Sequence, residues 1–155
     1  MTSIRIGLIS DTHGLLRPQA LSGLAGVQMI LHAGDIGKPE IVSTLGRIAP
    51  VHAIRGNNDT APWAMQFAET LRLEIGIVSI YMLHDAKALA VDAHEAGIRV
   101  VIAGHSHRPS IQEKNHVLHV NPGSAGPRRF RLPVSIAYLD IDGDVVTPRI
   151  QMLEV

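Results

Sequence analysis

Five short clusters of Asp, Asn and His, each opening just after an apolar β-branched run, constrain this chain more than anything else in it. They are Asp11-Thr12-His13-Gly14, Gly34-Asp35, Gly56-Asn57-Asn58-Asp59, His84-Asp85 and Gly104-His105-Ser106-His107. The runs before them, residues 4–10, 29–33, 51–55, 77–83 and 99–103, have the length and composition of buried strands. In open α/β sheets, ligand sites lie beyond the carboxyl ends of the strands. Five strands ending in oxygen and imidazole donors are therefore expected to share one functional edge.

The intervening segments fit that arrangement. Pro18 opens a short helix that stops near Gly26, and residues 39–48 carry Ile41, Val42, Leu45 and Ile48 at amphipathic helical spacing. Residues 71–75 and 77–83 flank Gly76 as a hairpin. Residues 87–96 read as a helix stopped by Gly97. Short strands follow at 111–113, 117–120, 134–140 and 145–150, the last two around Asp142-Gly143. Alternating β and α followed by antiparallel strands predicts an α/β fold. The expected form is a layered αββα sandwich of two mixed β-sheets flanked by helices, one domain over residues 1–155. The irregular stretch 121–133 reads as a rim loop, and Trp63 and Phe67 read first as core, with a substrate-side lid as the second option.

Composition narrows the chemistry. The chain has no Cys, so disulfides and thiolate ligands are both excluded, and any metal must be held by carboxylate, amide and imidazole. Lys plus Arg equals Asp plus Glu at 14 each, and aromatic residues are 3%. That balance argues against gripping long nucleic acid through its phosphates or stacking its bases. No stretch approaches a membrane span, and Arg5 interrupts the N-terminal apolar run, so the reading is a cytoplasmic protein with no signal peptide.

Each cluster alone has an ordinary explanation. Asp-Thr-His-Gly is an Asx turn, Gly-Asp another turn, and Asn-Asn-Asp common loop chemistry. Only the set, in order, each at a strand end, points to two divalent cations. Metals roughly 3.5–4 Å apart stabilise the attacking and leaving oxygens of an in-line displacement. Asp35, on a Gly-preceded turn, is the candidate bridging carboxylate. His52, His94, His116 and His119 lie outside these blocks and read as surface or strand-face residues. His32, three before Asp35, reads as a support behind the ligands.

The blocks, in order, resemble the calcineurin-like metallophosphoesterases from residue 4 to about residue 124. The chain's length, His32-Ala-Gly-Asp35 and Asn121-Pro-Gly-Ser124 followed by Pro127-Arg128 look most like the small bacterial and archaeal phosphodiesterases of the YfcE type. The resemblance implies one metal on Asp11, His13, Asp35 and His107, and a second on Asp35, Asn57, His84 and His105. It implies a metal-bridging hydroxide as nucleophile. Asp35, Asn57, Asn58 and His84 are the residues expected to act in catalysis. Mn²⁺ is the expected metal, with Fe, Ni, Zn and Co as alternatives. Asn58 departs from the family, which carries a proton-donating His at that place. An amide donates a hydrogen bond but no proton, so the resemblance does not carry general-acid catalysis over to Asn58. Asp59, which would steady that His, is expected to persist as a turn or supporting acceptor, and Arg128 is a candidate contact for substrate phosphate.

The function implied is hydrolysis of a small phosphate ester, with the diester favoured and a phosphomonoesterase as the nearest alternative. A rival from another class is a protein-binding scaffold like the retromer subunit that shares this fold. All seven expected ligands are present, which favours the enzyme. A homo-oligomer is expected only from the symmetry habits of small enzymes.

Overall fold

The computed structural model describes residues 3–155. Its strands are β1 (Ile4–Ile9), β2 (Met29–His32), β3 (Val51–Ala53), β4 (Thr70–Ile75), β5 (Val78–Leu83), β6 (Val100–Ile102), β7 (Ser110–Lys114), β8 (Val117–Asn121), β9 (Ser135–Asp142) and β10 (Val145–Met152). Two α-helices, α1 (Pro18–Leu24) and α2 (Pro39–Leu45), join the first three strands. The strands form two five-stranded sheets, ordered β10-β9-β1-β2-β3 and β4-β5-β6-β8-β7. Both are mixed: β1-β2-β3 and β5-β6-β8 are parallel, whereas β9, β10, β4 and β7 pair antiparallel.

Period two in the strands sorts the core. Ile6, Leu8 and Leu31 of the first sheet meet Ile80, Met82, Ile102 and Val120 of the second in one buried cluster. On the opposite face of the first sheet, Ile9, Ile30 and Ile136 receive Leu24 of α1 and Ile41 and Leu45 of α2. Gly7 belongs to that seat, since a Cβ there would overlap Leu24. Truncating the fully buried Leu24 to Ala is expected to cost about 2–5 kcal/mol. Both helices begin with Pro at the first turn, as expected, because that residue's missing N–H has no intrahelical partner to lose. Trp63 and Phe67 pack against the same cluster, so the core reading of that pair holds.

The helix expected over 87–96 does not form. A 3₁₀ turn spans Ala86–Ala88, opened by the Asp85 carboxylate accepting from the Lys87 N–H. Leu89 is extended, and a second single turn then starts where Asp92 accepts from the Glu95 N–H. Gly97, with φ 75°, closes that turn as predicted: the Ile98 N–H reaches Ala93 O and the Gly97 N–H reaches His94 O. Asx-type starts at both Asp85 and Asp92 make two short turns where periodicity alone suggested one helix. The outer face of the second sheet is thus covered by turns and the small cluster around Leu83, Val101 and Val117.

Candidate metal centre

The parallel strands of both sheets deliver their ends to one edge of the sandwich. Asp11 and His13 follow β1, Asp35 follows β2, Asn57 follows β3, His84 follows β5, and His105 and His107 follow β6. Asp11 Oδ1 is the hub. It lies 3.4 Å from His107 Nε2, 3.7 Å from His84 Nε2 and 3.8 Å from His13 Nε2. Asp35 Oδ2 stands 3.2 Å from His84 Nε2 and 3.7 Å from His13 Nε2. Two groups therefore have the compactness to hold a cation, Asp11-His13-His107 and Asp11-Asp35-His84. The atom common to them is on Asp11, while Asp35 reaches both through His84 and His13.

Burial makes this convergence costly unless something positive occupies it. Asp11 is fully buried, and Asp35, His84 and His107 nearly so. Among the described residues, three buried side-chain atoms here lack any hydrogen-bond partner: Asp11 Oδ1, His84 Nε2 and His107 Nδ1. An unpaired buried polar group costs about 1–3 kcal/mol. The first is the hub and the second faces it, and oxygen plus imidazole nitrogen is a donor set suited to divalent first-row metals. The residues present fit such an ion.

The remaining contacts hold those donors in place. Asp11 Oδ2 accepts from Ser10 Oγ at 2.7 Å and from the His105 N–H at 3.0 Å, which leaves Oδ1 free for the hub. Nδ1–H of His84 donates to Ala33 O at 2.7 Å, so Nε2 faces the carboxylates. Burial disfavours the Asp35 carboxylate, yet His84 and the Asn58 N–H outweigh it and hold its pKa at about 2. Burial likewise opposes charge on His84, but Asp35 and the Ala33 carbonyl raise its pKa above the ordinary value. Asp11 follows the same pattern: burial pushes it up, and His107, His84 and Ser10 bring it below its usual value.

His32 and Asp59 brace it from behind. The Gly34 N–H donates to His32 Nδ1 at 3.1 Å, which places the ring proton on Nε2, 3.0 Å from Thr12 Oγ1. Thr12 Oγ1 in turn donates to Ile36 O. Complete burial drives the His32 pKa to about 4, against the pull of the nearby Asp11, Asp59 and Asp35 charges. Asp59 accepts from three backbone groups, the N–H of Ile36, Gly37 and Gly56, and so ties the β2 loop to the β3 loop. Asn58 clamps Asp35 through both its backbone N–H, at 3.0 Å, and its Nδ2, at 3.1 Å.

Five of the seven expected ligands, Asp11, His13, Asp35, His105 and His107, have left-handed backbones with φ between 46° and 71°. Such non-glycine conformations cost roughly 1–3 kcal/mol each and gather where geometry is imposed by function. They also change the Asp-x-His and His-x-His logic. The extended-chain rule that puts alternate residues on one face does not govern a left-handed turn. Asp11 and His13 still converge, but His107 turns inward while His105 turns outward, edge-on to His84 at 5.2 Å and 3.7 Å from Asp85 Oδ2. Asn57 is exposed and lines a cavity of about 440 Å³ with His84 and His105. Arg128, also exposed, lines another of about 350 Å³ with His13 and His107.

Several contributors had little signal in the sequence. Ser10, Thr12 and Ser124 are unremarkable residue types, yet Ser124 Oγ donates to Asp11 O and Asn121 Nδ2 donates to Gly104 O. The glycines are more telling. A Cβ at Gly56 would overlap Asp35 and one at Gly104 would overlap Ser10 and Asp11, so the Gly-Asn and Gly-His pairs are where backbone approaches carboxylate.

Residues 4–144 match the family model for the calcineurin-like phosphoesterase superfamily domain. A probable metallophosphoesterase of Methanothermobacter thermautotrophicus is 36% identical over 151 residues, covering 90% of this chain and 87% of its own. Phosphodiesterase YfcE of Escherichia coli is 27% identical over 169 residues, covering 90% and 89%. The structure of vacuolar protein sorting 29 from Cryptosporidium parvum superposes with a TM-score of 0.81 over 98% of this chain and 97% of its own. Its sequence identity is 22%, so that likeness is one of fold.

Proposed function

Since the chain belongs to the calcineurin-like phosphoesterase superfamily and is a metallophosphoesterase, we infer that it hydrolyses small phosphodiesters with two divalent cations, most readily Mn²⁺. The observation that carries this reading is the hub on Asp11 Oδ1, with its unpartnered buried neighbours. Asp11, His13 and His107 would hold one cation. Asp35, His84, Asn57 and His105 would hold the other, with Asp11 and Asp35 both within reach of the two. Cations bound there would lower the pKa of a water to give the hydroxide nucleophile and neutralise the phosphoryl oxygens.

The chain's own groups set the conditions for that chemistry. His84 must lose its Nε2 proton to ligate, so binding releases protons and weakens as pH falls through its raised pKa. Ala33 O fixes the ring so that this nitrogen alone faces the site. The depressed pKa of Asp35 keeps it an anion at any pH where the protein works. Asn58 holds Asp35 in place and offers no proton to the leaving oxygen, which favours esters whose leaving groups depart as stable anions. Arg128 lines the cavity beside His13 and His107, which supports a role in binding a phosphate oxygen. Among the described residues no helix is long and apolar enough to cross a membrane.

The direct test loads metal-stripped protein with Mn²⁺ and follows an aryl phosphodiester and the matching monoester, beside Asp35→Asn. Metal-dependent turnover that favours the diester and disappears in the variant is expected. Equal or greater monoester turnover would reassign the substrate class. Stoichiometric metal binding without turnover of either ester would move the protein to the scaffold role.

A further inference from the structure

Beside the outer ligand His105, the structure holds a groove of about 470 Å³ that the hydrolytic chemistry leaves unused. That volume suits a nucleotide-sized group. Its charge is what distinguishes it. Lys87 from the turn after β5, Lys114 from the end of β7 and Arg129 from the arm after β8 all line it, against one carboxylate, Asp85. The chain as a whole balances 14 cations with 14 anions, so three against one is a local excess. Among the described residues none of these three cations is in an ion pair, whereas Arg5, Arg55 and Arg72 each have a carboxylate partner. Asp85 does not cancel them: its Oδ1 accepts from the Lys87 N–H and its Oδ2 lies 3.7 Å from His105 Nε2, turned to the metal side.

The cations come from three separate elements and meet at one wall of the candidate centre. Arg129 also lines the cavity beside His13 and His107, so its arm spans both flanks of the site. The groove floor is apolar, formed by Val101, Ala103 and Val120. Low-dielectric walls under clustered cations concentrate field on an anion. We propose that this groove receives a second phosphate of the substrate. The preferred ester then carries a phosphate beyond the scissile one, as a nucleotide with a further phosphate does. The assignment rests on the hydrolase reading for its choice of substrate, and on the groove alone for its choice of anion.

The test compares ligands that differ only in that phosphate. Kinetically, thymidine 5′-(p-nitrophenyl phosphate) is set against its 3′-phosphorylated counterpart with Mn²⁺-loaded protein. By equilibrium binding to the protein as purified, adenosine 5′-monophosphate is set against adenosine 3′,5′-bisphosphate. Each is repeated with Lys87→Glu/Lys114→Glu, both exposed positions. The ratio between paired ligands is read within one protein, so any general loss cancels. The 3′-phosphate is expected to raise kcat/KM and affinity about tenfold in the wild type, the scale of one charge-assisted contact, and to confer no gain in the double variant. Equal handling of the paired ligands by the wild type, or a preference that survives the charge reversal, overturns the groove. A binding preference with no turnover of either ester supports the groove and removes the hydrolase reading instead.

Discussion

The expected ligands divide into an inner and an outer half that the chain treats differently. Asp11, Asp35, His84 and His107 are buried, with His13 partly buried against them, and neighbours orient three of the five: Ser10 and a backbone N–H on Asp11, Asn58 on Asp35, Ala33 O on His84. Asn57 and His105 sit at the rim, exposed, with no hydrogen bond from either side chain among the described residues; His105 has only a weak approach to Asp85. The inner half is organised before any ion arrives. The outer half would gain its order only from a bound ion. Preorganisation is what makes a ligand worth most, because the ordering cost is already met by folding.

The largest effect should come from breaking the inner half. Asp11→Asn leaves the shape nearly unchanged and halves the donor character of the hub. Loss of several kcal/mol of charge stabilisation corresponds to about a thousandfold or more in kcat/KM. Calorimetry with Mn²⁺ should show both binding events weakened, since Asp11 belongs to both groups. In contrast, His105→Ala should remove one event and leave the other near its original affinity. If the two variants lose the same sites to the same extent, the inner and outer halves are not distinct.

Acid sharpens the comparison next, because the inner half and its support contain two histidines, His84 and His32, shifted in opposite directions. His32, at about 4, is held neutral in the folded state while the unfolded state titrates near 6.5. Its neutral state stabilises fully above 6.5, and stability is lost as pH falls from there to about 4, at most about 3 kcal/mol. His84 is raised, so its contribution is present below 6.5 and fades as pH rises through its folded value. Metal-free protein should thus be most stable between the two titrations. Urea unfolding across pH 4–8 is expected to show the acid limb shrink in His32→Asn, which keeps the acceptor to Gly34 but cannot titrate. An unchanged limb would assign the acid loss to other groups.

A smaller effect is expected where the inner loops are tied together. Asp59→Ala removes the acceptor for three backbone N–H groups and frees the turn bearing Asp35. Supporting residues of this kind usually account for about 10–100-fold in metal affinity. The loss should fall on the site containing Asp35 and spare the one built on His13 and His107, as two-site metal titrations would report.

How much of this was legible follows from the same division. The strand runs and their order stood in the sequence because buried parallel strands are continuous apolar segments whose ends are marked by polar residues and Gly. The clusters announced the donors by type. What the sequence withheld is direction. Whether Asp11 or Asp35 sits at the hub, and that His105 and His107 part company, depends on left-handed turns that no periodicity encodes. The expected helix over 87–96 failed for a related reason: Asp85 and Asp92 bond their own backbones and restart the chain locally, which outweighs a weak helical spacing. Ser10, Thr12 and Ser124 act through hydroxyls that each link two loops or strand ends, and a hydroxyl's residue type alone does not say which partners it meets.

The smallest effect concerns Asn58, at the seam between the halves. If it acts only by clamping Asp35, then Asn58→Ala loses one of two hydrogen bonds, since the backbone N–H at 3.0 Å survives. A charge-assisted bond of that kind is worth about 1.5 kcal/mol, or roughly tenfold in kcat/KM. The loss should be uniform across aryl diesters of rising leaving-group pKa, because the clamp acts on the metal site and not on the departing oxygen. If Asn58 instead solvates that oxygen, the loss grows as the leaving group becomes poorer, and the slope of rate against leaving-group pKa steepens. Asn58→His would then flatten the slope by restoring a proton donor, while a pure clamp predicts no change in slope from either substitution. A uniform tenfold loss places Asn58 with the inner half, and a slope change moves it to the outer one.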